Sequence, residues 1–412
     1  MAETFRAQCQ CCVVGGGPAG LMAGFLLARA GVSVIVIEKH ADFLRDFRGD
    51  TIHPSTLQIM RELGLLNDFL NLPHQKAYEL SAWIGERRFK LADFSGLPEP
   101  CNFIALMPQW NFLDFIAGHA KALPNFRLMM RTEGLDLLLE NGRVVGVSAA
   151  GPEGPTEIRA DLVVAADGRG SRLRAAASLP MEDYGAPMDV LWFTLPQEPS
   201  DPHESFGRIT RGSMIVMIDR GDYWQCGGVI PKGGAQALRD KGIEAFRDRV
   251  ASAVPFLANR VGALDNWDAV KLLTVQVNRL TSWSRPGLLC IGDAAHAMSP
   301  VGGVGVNLAV QDAVATANLL GAKLRDGKLA DSDLVAVQRR REFPAKLTQS
   351  IQLAIQQRVV RRALDDEKPF EPPLVLRLLD AVPALRQLPA RIIGLGVRPE
   401  HVAPIAAVSR SS

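Results

Sequence analysis

Three glycines near the start of the chain have the spacing of a turn that binds a dinucleotide. They form the pattern Gly15-x-Gly17-x-x-Gly20, and Glu38 follows about 20 residues later, where an acid that binds ribose hydroxyls is expected. Glycines at these positions permit a tight turn, let the backbone approach a pyrophosphate, and allow a helix to pack closely on a strand. The positive end of that helix would face the diphosphate. The pattern predicts a dinucleotide site without specifying which dinucleotide.

Two later segments place acidic residues and glycines directly after apolar runs. Asp167-Gly168 follows the run 162–166, and Gly292-Asp293 follows the run 288–291. The second segment continues through the glycine-rich loop 300–307 into a helical pattern. Glycines 302, 303 and 305 would let the backbone of this loop come close to a ligand, although such a run could also be a flexible surface turn.

Buried strands and a helix must position the first turn. Residues 8–14 form an apolar run of strand length, and residues 21–30 have a helical pattern that ends at Gly31. Residues 32–37 are mostly apolar, as in a parallel strand that is buried on both faces. The order of strand, glycine turn, helix and strand predicts an α/β protein with a Rossmann-type domain.

Composition and charge exclude several classes of protein. The chain has 412 residues, of which 47% are hydrophobic and 22% charged, as in ordinary globular proteins. A net charge of +2 gives no reason to expect nucleic acid as a partner. Six cysteines are too few for a disulfide framework and lack the spacing of a zinc site, so we expect reduced thiols, a cytoplasmic location and no metal. No apolar run reaches the length of about 18 residues that a membrane-spanning helix needs, so no membrane is expected as a partner.

Three separated motifs resemble those of the FAD-dependent aromatic hydroxylases, the single-component flavoprotein monooxygenases typified by para-hydroxybenzoate hydroxylase. They are GGGPAG at 15–20 with Glu38, DGRGSRLR at 167–174, and GDAAHAMSPVGGVGVNLA at 292–309. The motifs follow the order of that family, and the resemblance covers most of residues 10–330. It implies FAD as the cofactor and NADPH or NADH as a co-substrate. The nicotinamide nucleotide would bind transiently, because the chain has only one dinucleotide fingerprint.

The resemblance also implies which residues of this chain contact FAD. The pyrophosphate would lie against Gly15, Gly17, Pro18, Ala19 and Gly20, and the adenosine against Glu38, Lys39 and Leu135. The flavin and its ribityl chain would contact Arg48, Gln109, Asp167, Asp293, Pro300, Gly303, Gly305, Val306 and Asn307. The amides of Val306 and Asn307 would lie beside the pyrimidine end of the isoalloxazine, because a helix N-terminus stabilises the negative charge of reduced flavin.

Several other polar residues have structural interpretations. Asp167 could form an Asx turn at a strand end instead of contacting the flavin side. His296 is interpreted as a packed, structural histidine, so no catalytic residue is assigned. The basic run 339–341 is interpreted as the solvated face of a helix.

The Rossmann-type FAD-binding domain is predicted to be interleaved with a mostly antiparallel β-sheet substrate domain. The FAD-binding domain comprises residues 1–75, 100–180 and 266–330, and the substrate domain residues 76–99 and 181–265. Alternating strands in the substrate domain carry candidates for a substrate face, which could equally be core residues: Trp192, Met214, Met217, Trp224 and Cys226. Residues 331–412 are predicted to be C-terminal helices that form a cap or a dimer surface. Their amphipathic stretch could also contact a membrane surface, although core packing explains it equally well.

The function implied by the resemblance is that of an NAD(P)H-dependent FAD monooxygenase. It would use O2 to hydroxylate or epoxidise a small or mid-sized aromatic substrate through a flavin C4a-hydroperoxide, in a site that excludes water. One alternative is a flavin-dependent reductase or halogenase of the same fold, although WQCGGVIP at 224–231 lacks the second tryptophan of the halogenase string. Another is a non-catalytic Rossmann-type carrier. The oligomeric state is expected to be a monomer or a homodimer.

Overall fold

The glycine turn connects the first strand to the first helix of the structure, a computed structural model that describes residues 4–44, 51–365 and 370–404. Strand β1 (Phe5–Val14) leads into helix α1 (Pro18–Arg29), and strand β2 (Val34–Ile37) follows. The helix begins earlier than the apolar pattern indicates, because Pro18 suits the first helical position, where no N–H partner is needed. The predicted βαβ unit is therefore present.

The remaining elements form two large sheets, two small ones and the helices that cover them. The strands are β3 (Thr51–Ile52), β4 (Gln75–Ala77), β5 (Glu79–Ile84), β6 (Arg87–Asp93), β7 (Ile104–Leu106), β8 (Phe126–Met129), β9 (Glu133–Glu140), β10 (Arg143–Gly151), β11 (Gly154–Ala165), β12 (Met181–Asp183), β13 (Met188–Pro196), β14 (Phe206–Thr210), β15 (Ser213–Asp219), β16 (Tyr223–Pro231), β17 (Lys271–Leu273), β18 (Asn278–Leu280), β19 (Ser284–Arg285) and β20 (Leu288–Cys290). The helices are α2 (Pro54–Glu62), α3 (Leu66–Leu70), α4 (Gln109–Lys121), α5 (Arg172–Ala176), α6 (Ala235–Asp240), α7 (Gly242–Ala253), α8 (Gly305–Arg325), α9 (Asp331–Ile355), α10 (Arg361–Ala363), α11 (Leu374–Ala381) and α12 (Gln387–Gly394). A π-helical turn, Gln356–Val360, joins α9 to α10. The small sheets have the strand orders β3-β7-β4 and β12-β18.

Parallel strands at the centre of the first sheet end in one row. The strand order is β19-β20-β11-β1-β2-β8, with β10 and β9 continuing from β11. Val14 pairs with Ile37 on one side and Ala165 on the other, and Ala165 pairs with Cys290. The turns that follow these four residues therefore meet at one edge of the sheet. In open α/β sheets this edge is where ligands bind, close to the point where the strand order reverses.

The second sheet is antiparallel except for one pair of strands. Its order is β17-β13-β16-β15-β14-β5-β6, and only β14 and β5 run parallel. We define its outer face by the side chains that pack against α7: Phe193, Met217, Trp224 and Cys226. The inner face carries the alternate residues, Trp192, Met214, Val216 and Val229. It packs against the C-terminal helices and against residues of the predicted FAD-binding domain. The predicted fold class is confirmed. The short strand β17 belongs to this sheet, although its residues were expected in the FAD-binding domain.

The C-terminal helices connect the two sheets. Helix α8 packs on α1 and against α9, whereas α11 and α12 pack on β6 of the second sheet. Val360, in the π-helical turn, contacts Val229 and Met188 on the inner face. None of the described helices combines the length and hydropathy that crossing a bilayer requires.

Candidate functional site

The three glycines of the first turn are required for different reasons. Gly15 has a φ of +107°, and a Cβ there would lie 2.3 Å from the Ala166 carbonyl oxygen. A Cβ on Gly20 would lie 1.9 Å from the carbonyl oxygen of Gly15. A Cβ on Gly17 would meet no atom of the described chain within 4 Å, and this glycine precedes Pro18 and Ala19 at the N-terminus of α1. The backbone at Gly17 therefore borders open space, as a pyrophosphate would need.

Glu38 lies directly beside this turn. One of its carboxylate oxygens accepts a hydrogen bond from the Gly16 N–H at 2.8 Å, and the other accepts one from the His40 N–H at 3.0 Å. The Thr132 N–H donates to the Glu38 carbonyl oxygen, which brings the start of β9, with the exposed Leu135, to the same edge. Lys39 is exposed next to Glu38. The residues predicted to bind adenosine are thus grouped in space.

Two acidic residues follow neighbouring strands and differ in their surroundings. The Asp293 carboxylate is about one-third exposed, and the Arg169 guanidinium lies 3.7 Å from it. The Asp167 carboxylate accepts hydrogen bonds from the Ser171 hydroxyl and the Arg172 N–H, and so caps α5. Burial raises the pKa of Asp167, although these bonds act in the opposite direction. The Asp293 carboxylate is therefore partly exposed, whereas that of Asp167 is held by the turn that leads into α5.

The glycine-rich loop leads into α8 without a side-chain cap. Gly302 and Gly303 have φ values of +81° and +63°, and α8 begins at Gly305. A Cβ on Gly303 would lie 2.5 Å from the Thr51 hydroxyl, which donates a hydrogen bond to the Gly303 carbonyl oxygen at 2.8 Å. The first N–H groups of α8 have no partner within the helix and no capping side chain, so they can bind an anion.

The side chain of Asn307 holds the loop in place. Its amide oxygen accepts hydrogen bonds from the His53 N–H at 2.9 Å and the Thr56 hydroxyl at 2.6 Å. Only the backbone of Asn307, with that of the buried Val306, is therefore available for a ligand. Gln109 is the first residue of α4, and Pro300 is half-buried at the start of the loop. Arg48 lies outside the described residues.

A buried charge network that the sequence did not suggest lies behind Asp293. Asp312 accepts hydrogen bonds from the Gly292 N–H at 3.1 Å, from His296 Nε2 at 2.6 Å and from Arg341 Nε at 3.0 Å. Asp312, His296 and Arg341 are all at most 1% exposed. The interpretation of the run 339–341 as a solvated face is therefore wrong for Arg341, because a charged partner lies beneath it. His296 is packed in this network.

The five candidates for a substrate face lie on opposite sides of the second sheet. Trp192 and Met214 are on the inner face, whereas Met217, Trp224 and Cys226 pack in the core on the outer face. The Trp224 indole N–H donates to Asp201 at 2.8 Å there. Side chains alternate along a strand, so residues an odd number apart cannot share a face. The inner face meets the glycine-rich loop, because Met214 and Val229 lie in one cluster with Val301. A cleft of about 760 Å³ opens beside this cluster, next to Pro187, Pro231 and Leu364.

His53, next to the loop, makes stability depend on pH. It is fully buried, and its Nδ1 donates a hydrogen bond to the Ile393 carbonyl oxygen at 2.8 Å. Burial lowers the pKa of His53 from 6.5 to about 4, although that hydrogen bond raises it. Between these two pKa values the folded protein keeps His53 neutral, whereas the unfolded chain binds a proton there. The free energy of unfolding is therefore highest above pH 6.5 and decreases as the pH falls toward 4.

Lowering the pH from 7 to 5 should therefore destabilise the protein by about 2 kcal/mol through His53, at about 1.4 kcal/mol per pKa unit. Urea unfolding at both pH values measures this loss, and His53→Gln should remove most of it because glutamine does not titrate. His119→Gln, at a half-buried histidine on α4, serves as the control and should keep the wild-type difference. An identical pH dependence in wild type and His53→Gln would contradict the assignment.

Comparisons with known proteins agree with this geometry. A family model described as an FAD binding domain matches residues 8–350. The 6-methylpretetramide 4-monooxygenase of Streptomyces rimosus is 34% identical over 340 residues, which cover 81% of this chain and 80% of that enzyme. Two solved structures share the fold at lower identity. Anhydrotetracycline hydroxylase from Streptomyces rimosus has a TM-score of 0.72 at 22% identity, and the match covers 94% of this chain and 76% of that enzyme. The myxobacterial chondrochloren halogenase has a TM-score of 0.73 at 18% identity, and the match covers 96% of this chain and 100% of the halogenase.

Proposed function

The chain belongs to the FAD-dependent aromatic monooxygenases, and from this premise we propose which of its residues hold FAD and which face the substrate. The enzyme is an oxidoreductase that uses FAD, with NAD(P)H as the co-substrate and O2, to hydroxylate an aromatic compound. One observation carries the assignment of the site. Four parallel strands end in one row, and the turns after them bring together the open backbone of Gly17, the carboxylate of Glu38 and that of Asp293.

The proposed cofactor site follows the edge of the first sheet. The pyrophosphate lies against residues 15–20 at the N-terminus of α1, and the adenosine ribose lies at Glu38. Asp293 accepts hydrogen bonds from the ribityl hydroxyls, and the N-terminus of α8 faces the pyrimidine edge of the flavin. Arg48, Gln109, Pro300, Gly303 and Gly305 complete the assignment. Two observations support the fit of FAD to this edge. They are the free N–H groups of α8 and the open space that a Cβ on Gly17 would enter.

When bound, FAD supplies the redox chemistry, accepting a hydride from NAD(P)H and activating O2 for transfer to the substrate. The protein holds and shields that chemistry. The positive end of α8 stabilises negative charge at the flavin edge. The apolar side chains Met214, Val229 and Val301 keep water away from the reacting atoms, which limits loss of oxygen as peroxide.

The proposed substrate face is the inner face of the second sheet. Trp192 packs in two apolar clusters on this face. Its ring lies over Gly227, so closely that a Cβ on Gly227 would be 3.1 Å from it. Its indole N–H is buried without a partner in the described chain. A buried donor favours a ligand that supplies an acceptor, so we propose an aromatic substrate with an oxygen that accepts a hydrogen bond from Trp192. The cleft beside Leu364 is its proposed entrance.

We also propose the organisation of the whole enzyme. The first sheet and its helices form the FAD-binding domain, and the second sheet forms the substrate domain. The C-terminal helices close the inner face, as a cap does. A cytoplasmic location is supported by six unpaired cysteines, all buried. A monomer or a homodimer is proposed, without a nucleic-acid or membrane partner.

Purified protein should bind one FAD and incorporate one atom of O2 into an aromatic product. The experiment supplies NADPH or NADH and ¹⁸O2 with a panel of phenols that includes 6-methylpretetramide, and it measures flavin reduction and labelled product by mass spectrometry. A true substrate should accelerate NAD(P)H oxidation and divert oxygen from peroxide into product. Reduction without label in any product would favour a reductase, and halide-dependent product would favour a halogenase.

A further inference from the structure

Three buried glutamines form a row along one side of α9 and the π-helical turn. Gln349, Gln352 and Gln356 are at most 3% exposed. The Gln349 amide N–H groups donate to the carbonyl oxygens of Asn278 and Ala297, both at 2.9 Å. The other two glutamines contact the segment that follows Ala297, which leads into the glycine-rich loop. Their position is set by the spacing of the helix, since residues three and four apart lie on one side.

Gln352 and Gln356 hold the start of that loop. The Gln352 amide N–H groups donate to the carbonyl oxygens of Ser299 at 2.9 Å and Val301 at 2.8 Å. The Gln356 amide donates to the Ser299 hydroxyl at 2.6 Å, and that hydroxyl accepts a further bond from the Val301 N–H at 3.2 Å. Two side chains of the helix thus fix the backbone on both sides of Pro300.

Burying Gln352 and Gln356 has a cost in stability. The amide oxygens of Gln352 and Gln356 are buried and have no hydrogen-bond partner in the described chain. A buried acceptor without a partner lowers stability, and an apolar side chain of the same size would avoid this. Stability alone therefore does not account for glutamine at these positions, whereas a need to hold particular carbonyl groups does.

The near end of the loop needs such support because it leads into two consecutive glycines, whereas Asn307 restrains only the far end. Gly302 and Gly303 adopt left-handed conformations, and glycine loses more conformational freedom on ordering than other residues. Thr51 anchors the far end of the loop at Gly303. The glutamines anchor the near end at Ser299 and Val301. Between the two anchors the chain turns into α8, whose free N–H groups face the proposed flavin site.

We propose that Gln352 and Gln356 are positioning residues that hold the 299–303 loop, and thereby the N-terminus of α8, against the flavin. The proposal rests on the proposed function, since that function places the flavin at this loop. A firmly held helix N-terminus stabilises the negative charge of reduced flavin more than one that fluctuates, because the amides need not reorganise. Loosening the loop should therefore make FAD harder to reduce.

Gln352→Met and Gln356→Met test the proposal, because methionine keeps the volume and removes the amide. Gln338→Met is the matched control, since Gln338 also lies on α9 and bonds the backbone of Thr281 and Trp283, away from the loop. Hydrogen exchange of residues 299–307 in the FAD-free protein should become about 10-fold faster in the two test variants only. The midpoint potential of bound FAD should fall by about 30 mV, if binding of reduced over oxidised flavin weakens tenfold.

Ser299→Ala removes, from the loop side, the hydroxyl that accepts the bonds from Gln356 and from the Val301 N–H. It gives a second test of the Gln356 contact if the helix variant fails to fold. Unchanged exchange and potential in these variants, or the same change in Gln338→Met, would overturn the proposal. Failure of the wild type to bind FAD would instead overturn the proposed function. The exchange measurement on FAD-free protein would still report whether the glutamines hold the loop.

Discussion

Gly17→Val is expected to abolish FAD binding and leave the fold intact. Gly17 has extended backbone angles, φ −77° and ψ −176°, that valine adopts without strain. A Cβ at this position meets no atom of residues 4–44, 51–365 and 370–404 within 4 Å, so the side chain would project into the space proposed for the pyrophosphate. We expect at least about 100-fold weaker binding, which corresponds to about 2.7 kcal/mol. Titration of the FAD-free protein with FAD, followed by flavin fluorescence, measures this change.

The control for Gly17→Val adds the same side chain elsewhere. Gly118 lies on the exposed side of α4, and a Cβ there also meets nothing within 4 Å. Gly118→Val should retain wild-type affinity for FAD. Thermal melts should show both variants folded, in contrast to Gly20→Val, which would force a Cβ to within 1.9 Å of a backbone oxygen. A folded Gly17→Val protein that binds FAD normally would refute the placement of the pyrophosphate.

Arg341→Met is expected to lower the free energy of unfolding by about 3 to 5 kcal/mol, the range for removing one partner of a buried ion pair. Asp312 is 0% exposed, and the substitution removes the guanidinium that lies 3.0 Å from its carboxylate. Burial alone would raise the pKa of Asp312, but His296 and Arg341 hold it below its ordinary value. Without Arg341 the buried carboxylate either remains charged, with the hydrogen bonds from His296 and Gly292, or binds a proton. Protonation would weaken the hydrogen bond that the Gly292 N–H, beside Asp293, donates to it.

Arg340→Met provides the comparison for this variant. Arg340 pairs with Glu400 at 2.7 Å, and the Arg340 side chain is about half exposed. The loss of Arg340 should therefore lower the free energy of unfolding by at most about 1 kcal/mol. Urea unfolding of the two variants measures the difference. Adding Asp312→Asn to Arg341→Met should recover part of the loss, since the buried charge is then absent. Equal stability of the two single variants would show that burial does not strengthen the Arg341 pair.

Local features of the cofactor site were determined by the sequence. The glycine turn, the apolar strands around it and Glu38 follow from short-range sterics and from burial of strands on both faces. The mixed α/β fold was predicted correctly for the same reason, since periodicity reports which element a segment forms. The interpretation of His296 as a packed histidine rested on the family resemblance and on how common packed histidines are, and the structure buries it against Asp312.

Partners far apart in the chain were decided only by the tertiary structure. Arg341 belongs to a basic run, and nothing within that run indicates that Asp312 lies beneath it in the folded protein. Alternation already separates Met214 from Met217 on β15, but it does not say which face is inward. The packing of the sheet decides that, and strand pairing decides which of the two residues shares a face with Trp192 and which with Trp224 and Cys226. Gln352 on α9 and Gln356 in the π-helical turn contact a loop about fifty residues away, and no local pattern indicates these contacts. Local sequence patterns specify elements and turns, whereas burial, pairing and the facing partner arise when those elements pack together.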